Sequence, residues 1–336
     1  MARPSKDFIM AWSSLSGDDA ATGWRSIALP PCGPLDVRAG RRSPDNAEAV
    51  LVGFPTAKIP VADKLPEGQG FSVERADLEG AGMLWIALSR KSAGSPELFA
   101  AMSCDVIGAL DDAVAAGADE ARLARVYIGR VGAWQEFMRK GTLALSPEAE
   151  IGLVGELVLL RAIIRTGVAS AQAIESWVGP LDGIQDFEIG TGALEVKATL
   201  SSKGFPAKIG SLEQLDDSVR QPLFVAGARF HQVESGQTLP EFIATMRATI
   251  QGDPESTRLL SERLLAAGYI DSHVGRYPRR FELNDIRVIK VGEGFPRLTP
   301  GTAPAGITRA MYEIDLEKAL GDNLDVDGAL KQLGVI

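Results

Sequence analysis

Glu195 and Lys197 lie two residues apart in Ala193-Leu-Glu-Val-Lys-Ala-Thr199, where side-chain character alternates with the period of a β-strand. Such a strand sends Glu195, Lys197 and Thr199 to one face and Leu194, Val196 and Ala198 to the other. A carboxylate beside an ammonium can be an ordinary ion pair on a solvated face, and Glu-x-Lys alone says little more. The preceding segment adds weight. Gln185-Asp-Phe-Glu-Ile189 reads as a second strand, joined through Gly190-Thr191, and a two-residue turn with glycine first fits a II′ hairpin. In that register Asp186 stands opposite Glu195 on the same face. A three-residue loop would turn Asp186 to the opposite face unless a bulge corrected it. Two adjacent carboxylates repel, and a hard divalent cation with oxygen ligands relieves the repulsion.

A third carboxylate comes from upstream. Ile151-Gly-Leu-Val-Gly-Glu-Leu-Val-Leu-Leu160 is apolar on nearly every side, so a helix there is buried. Glu156 inside it is costly unless it meets a cation, a metal-bound water or a proton. Gly152 and Gly155 are expected to let this helix approach a sheet closely.

The elements that must position these groups follow from capping, turn and periodicity signals. Short apolar runs at 50–54 and 83–88 read as buried strands, with turn chemistry over 59–70 between them. Helices are expected over 96–116, 119–140 and 146–166, the first and third opening on Ser-Pro pairs. Strands at 185–189, 193–199 and 223–228 follow, with a short helix over Leu212–Val219. Helices at 240–250 and 256–267 precede two strands at 280–283 and 285–290. The division is an N-terminal strand-rich module (1–95), a helical bridge (96–145) and a domain over 146–336 with a C-terminal extension.

Glu156 in its glycine-containing helix, Trp177-Val-Gly-Pro180, Asp186-Phe187 and Glu195-Val-Lys197 together resemble the PD-(D/E)XK nuclease superfamily. They look most like a bacterial branch of PD-(D/E)XK motif proteins, and the motif-bearing stretch covers residues 146–230. The resemblance implies an α/β, restriction-endonuclease-like core: a mixed central sheet flanked by helices. It implies Mg²⁺ or Mn²⁺ held by Asp186, Glu195 and the Val196 carbonyl. Lys197 would orient or help deprotonate the attacking water and steady the pentavalent phosphate. Glu156 would match an accessory helix carboxylate, and Gln214 a polar residue on the following helix. The literal Pro-Asp dipeptide is absent, since Gln185 precedes Asp186. Asp182, after Pro180-Leu181, is the competing aspartate; Asp186 is preferred.

The activity so implied is metal-dependent hydrolysis of DNA phosphodiesters by an endonuclease-like enzyme, in restriction or phage defence. The alternative is an inactive nuclease-fold subunit that binds DNA or assembles a defence complex. Cutting both strands would call for a homodimer, and other defence-system subunits are the further partners expected.

Composition limits the rest. The chain has 336 residues, 45% hydrophobic and 24% charged, which is globular composition. A net charge of −9 argues against coating nucleic acid non-specifically, so phosphate contacts must be local. Lys203 and Lys208, flanking Gly204-Phe-Pro206, could meet a backbone phosphate. Arg276, Arg279 and Arg280 form the densest basic cluster near the C-terminus, with Tyr277 and Phe281 available to stack; an ordinary exposed loop is the alternative. Two cysteines exclude a disulfide framework, and two histidines exclude a three-imidazole metal site. His231 is expected at the surface. With no apolar leader and no 18-residue apolar span, a cytoplasmic protein with no membrane partner is expected.

Overall fold

Phe8, Ala11 and Trp12 recur at helical spacing, and Ser5–Ser14 forms helix α1 with those three side chains buried. The computed structural model describes residues 5–16, 23–56, 65–78, 82–140 and 143–336. The chain divides into two units, Met1–Thr142 and Leu143–Ile336.

In the first unit, five strands form one antiparallel sheet: β1 (Gly23–Cys32), β2 (Leu35–Ser43), β3 (Ala47–Phe54), β4 (Phe71–Ala76) and β5 (Leu84–Arg90), in the order β1-β2-β3-β5-β4. The apolar runs anticipated at 50–54 and 83–88 are its central pair, β3 and β5. Strand β1 is largely exposed, and β2 and β4 alternate buried apolar with half-exposed polar residues, so none offers a continuous buried apolar run. Residues 59–64 of the expected turn lie outside the described residues. Helix α2 (Pro96–Ala115) is capped by the Ser95 hydroxyl and packs on the sheet and on α3 (Glu120–Lys140), so both helices belong to this unit.

The second unit opens with α4 (Pro147–Arg165), capped by Ser146 with Pro147 in its first turn. It continues through α5 (Ser170–Ser176), a 3-10 turn at Gly179–Leu181, β6 (Phe187–Ile189), β7 (Gly192–Thr199), β8 (Pro206–Ile209) and β9 (Leu223–Gln237). Then follow α6 (Leu239–Thr249), α7 (Pro254–Ala266), β10 (Phe281–Val291), β11 (Tyr312–Asp315), β12 (Asn323–Leu324) and α8 (Val326–Gln332). The central sheet runs β12-β10-β9-β7-β6; β7 and β9 are parallel and the other pairs antiparallel. This is the mixed α/β core of the restriction-endonuclease-like type.

One sheet face, with Leu194, Val196, Phe224 and Ala226, buries its apolar side chains against the helices. The other face, with Ala193, Val225 and Ile289, packs under the two-stranded β8–β11 sheet through Phe205, Ile209 and Leu316. Burial on both sides explains why β7 carries its polar residues into a covered space. Gly155 is the close approach of α4 to β7: a Cβ there would stand 3.0 Å from the Ala198 Cβ. Gly152 does not share that role, because a Cβ there would meet nothing within 4 Å.

Two expectations need correction. Leu212–Val219 forms turns, not a helix. Eight residues are too few to nucleate a helix without tertiary support. Here the carbonyls of Glu213, Gln214 and Leu215 accept from the Gln185 and Arg297 side chains instead. The separate strands at 280–283 and 285–290 are one strand, β10, whose register shifts between Leu283 and Asp285.

Candidate metal centre

The β6–β7 hairpin pairs Ile189 with Gly192, Glu188 with Ala193 and Phe187 with Leu194, leaving Gly190-Thr191 as a two-residue turn. Gly190 has φ +60°, whereas Thr191 is not among the residues of positive φ, as a II′ turn requires. A Cβ at Gly190 would also run into the Leu333 carbonyl. One step beyond Phe187–Leu194, the register sets Asp186 opposite Glu195. A hydrogen bond fixes the juxtaposition: Asp186 Oδ2 accepts the Val196 N–H at 2.7 Å.

Glu195 is almost wholly buried, at 1% exposure. Its Oε1 accepts from Lys197 Nζ at 2.6 Å, while its Oε2 is sealed from solvent with no partner among the described residues. Lys197 also reaches Gln214 Oε1 at 3.4 Å, and that oxygen accepts the Gly210 N–H at 2.7 Å. Gln214 therefore meets Lys197 from a turn and not from a helix. Buried Gln185 donates to the carbonyls of Glu213 and Gln214, tying this turn to the residue just before Asp186.

Glu156 enters from α4. Its Oε2 accepts the Trp177 indole N–H at 2.6 Å, and Trp177 is fully buried with its ring stacked on Phe187. The N–H groups of Val178 and Gly179 both donate to the Asp186 carbonyl, at 2.9 and 3.0 Å. Gly179 fits where no side chain could. A Cβ there would lie 2.7 Å from Asp186 Oδ1 and 3.3 Å from Glu156 Oε2.

Three carboxylates thus share a covered space with one ammonium. Burial and then repulsion from Asp186 push both Glu156 and Glu195 up to about 8. Asp186 is also raised by burial, against the opposing pull of the Val196 N–H and Lys197. Among the described residues, no three acidic, histidine or cysteine side chains already stand at ligand spacing around one point. Each carboxylate instead spends one oxygen on a protein donor. The donor set still suits a hard divalent ion: it is all oxygen, its charges repel one another when ionised, and Glu195 Oε2 is a buried oxygen with no hydrogen-bond partner among the described residues. Asp186 and Glu195 would hold such an ion.

Asp182, the competing aspartate, is exposed at φ +63° on the turn that follows Leu181. Lys203 and Lys208 are exposed after β7 and on β8, and Arg276 is exposed at the end of a 3-10 helix over Asp271–Arg276. Arg279 instead binds Glu150 and the Pro147 carbonyl while lying over the Phe281 ring. Arg280 binds Glu241 and the Gly236 carbonyl. His231 is exposed on β9.

Sequence reasoning gave Trp177, Gly179 and Gln185 no role at the site. A usable signal existed for Trp177. A carboxylate inside an apolar helix must find a donor, and a tryptophan in the following segment offers an apolar body with one N–H.

A family model described as "Putative PD-(D/E)XK family member, (DUF4420)" matches residues 8–317, spanning most of both units. Comparison with curated proteins and with solved structures finds no match.

Proposed function

This chain belongs to the DUF4420 family of PD-(D/E)XK proteins, and from that premise we propose that it hydrolyses DNA phosphodiesters with Mg²⁺ or Mn²⁺. The observation that carries the reading is the hairpin that sets Asp186 against β7 beside the buried Glu195–Lys197 pair.

A phosphodiester is anionic and resists attack by hydroxide. A bound divalent ion would supply a nucleophilic water at neutral pH and offset charge on the phosphate. Asp186 and Glu195, with the Val196 carbonyl, would hold that ion. Lys197 is fixed between Glu195 and Gln214, so its ammonium is pre-oriented. Its part is to steady charge developing on the non-bridging oxygens and to position, or help deprotonate, the attacking water. Glu156 adds a carboxylate that can take a proton or hold a water at the edge of the site. Lys203 and Lys208, exposed close after the motif strand in sequence, are the proposed backbone-phosphate contacts, with Arg276 further off in the chain. Arg279 and Arg280 would serve DNA only by giving up their glutamate partners. The setting we propose is restriction or phage defence in the cytoplasm, with a second copy where both strands are cut.

The test is metal-dependent nicking of linear, supercoiled and modified DNA by wild type, Asp186→Ala, Glu195→Ala and Lys197→Ala. Cleavage by wild type, with binding but no cleavage by Lys197→Ala, is the expected result. Equal residual activity in wild type and the two acidic-residue variants would overturn the enzyme reading in favour of a non-catalytic scaffold.

A further inference from the structure

The segment Trp177–Gly179 touches both the Asp186 and the Glu156 sides of the centre, yet contributes no charged group of its own. Two of its backbone N–H groups hold the Asp186 carbonyl, and Trp177 forms an isolated bridge to Phe187, the first residue of β6. Its indole takes one oxygen of Glu156, and stacking on Phe187 fixes the plane of that ring. Gly179 then admits the Asp186 and Glu156 carboxylates into the space a Cβ would fill. One short segment therefore sets where two like charges, delivered by a helix and by an edge strand, come to rest.

We infer that Trp177 and Gly179 are positioning residues of this centre: Trp177 orients Glu156 through its indole N–H, and Gly179 keeps room for Glu156 and Asp186 together. This rests on the metal-centre reading above. Glu156 and Asp186 reach the site on separate elements, and each could swing away to relieve repulsion. A directional donor on a rigid, buried ring removes that freedom for Glu156. Phenylalanine at 177 would keep the apolar body and the stack on Phe187 but lack the N–H. Alanine at 179 would keep every hydrogen bond of the segment but press on both carboxylates.

The experiment measures Mn²⁺ binding to the full chain by electron paramagnetic resonance, with kcat and KM for DNA cleavage beside it. Four proteins form a cycle: wild type, Trp177→Phe, Glu156→Ala and the double variant. Loss of an outer-shell group of a metal site, the place proposed above for Glu156, typically weakens affinity roughly 10- to 100-fold. Trp177→Phe is expected to weaken Mn²⁺ by that order and to lower kcat with KM unchanged. In the Glu156→Ala background the same substitution is expected to change Mn²⁺ affinity by less than about twofold, because the group it acts through is gone. Equal losses in both backgrounds would mean a general packing role and overturn the inference, as would unchanged affinity in Trp177→Phe.

Should Trp177→Phe not fold by circular dichroism, Gly179→Ala decides. Weaker Mn²⁺ binding with a wild-type melting profile supports the inference, and unchanged binding overturns it. Wild type that binds no Mn²⁺ overturns this inference and the metal reading together. Wild type that binds and cuts, matched by Trp177→Phe, overturns this inference alone.

Discussion

In metal-free protein, Glu156→Gln should stabilise the fold at pH 8 and change little at pH 5. Burial, with repulsion from Asp186, raises the Glu156 carboxyl from an ordinary 4.5 to about 8. The folded chain then keeps a proton that the unfolded chain releases. Stability from this group is therefore full below about pH 4.5 and is lost as pH climbs through about 8. One such proton gives a slope of about 1.4 kcal/mol per pH unit, or at most about 4 kcal/mol between pH 5 and 8. Glu156 keeps some access to water and shares its titration with Asp186, so on the order of 2 kcal/mol is the expected yield. Glutamine preserves the acceptor for Trp177 and never ionises. For a unit of this size the difference corresponds to about 4–8 °C in melting temperature. The assay is scanning calorimetry with chelator at both pH values. His273, held below its ordinary value by burial, titrates with the opposite sign but equally in both proteins, and cancels. Mn²⁺ should reverse the order at pH 8, since an ion replaces the protons of the wild-type carboxylates. A glutamine variant that melts lower than wild type at pH 8, or differs equally at both pH values, would refute the reasoning.

Three further outcomes follow from packing and charge. Gly155→Val should cost roughly 1–3 kcal/mol in urea unfolding and depress cleavage, because the new side chain strikes Ala198 and drives α4, with Glu156 one residue on, away from β7. Lys203→Ala with Lys208→Ala should leave melting unchanged but weaken DNA binding, reducing the log–log salt slope by about 0.9 for each phosphate no longer neutralised. Arg279→Ala should instead lower stability, since it strands the buried Glu150 without its cation.

The hairpin was legible because its signals are local. Glycine first in a two-residue turn fixes the register, and the register alone brings Asp186 opposite Glu195. Helix α4 was legible from its cap and apolar run, and Glu156 stood out as a carboxylate inside that run. The first unit was harder. Strands β2 and β4 alternate buried apolar with half-exposed polar residues over short stretches, and β1 buries only Cys32, so none shows the continuous buried run that marks β3 and β5. The surroundings of the basic cluster were not legible for a related reason: sequence counts charges but not their partners, and Arg279 and Arg280 are engaged with Glu150 and Glu241, 129 and 39 residues away.

Side-chain types and period-two spacing by themselves determined the acidic pair, its lysine and the upstream glutamate. Tertiary structure decided what surrounds them: the indole on Glu156, the glycine that admits two carboxylates, and the turn that brings Gln214 to Lys197. The physical reason is range. Turn geometry and strand alternation act over a few residues, whereas a buried polar atom takes whichever partner the packed chain delivers.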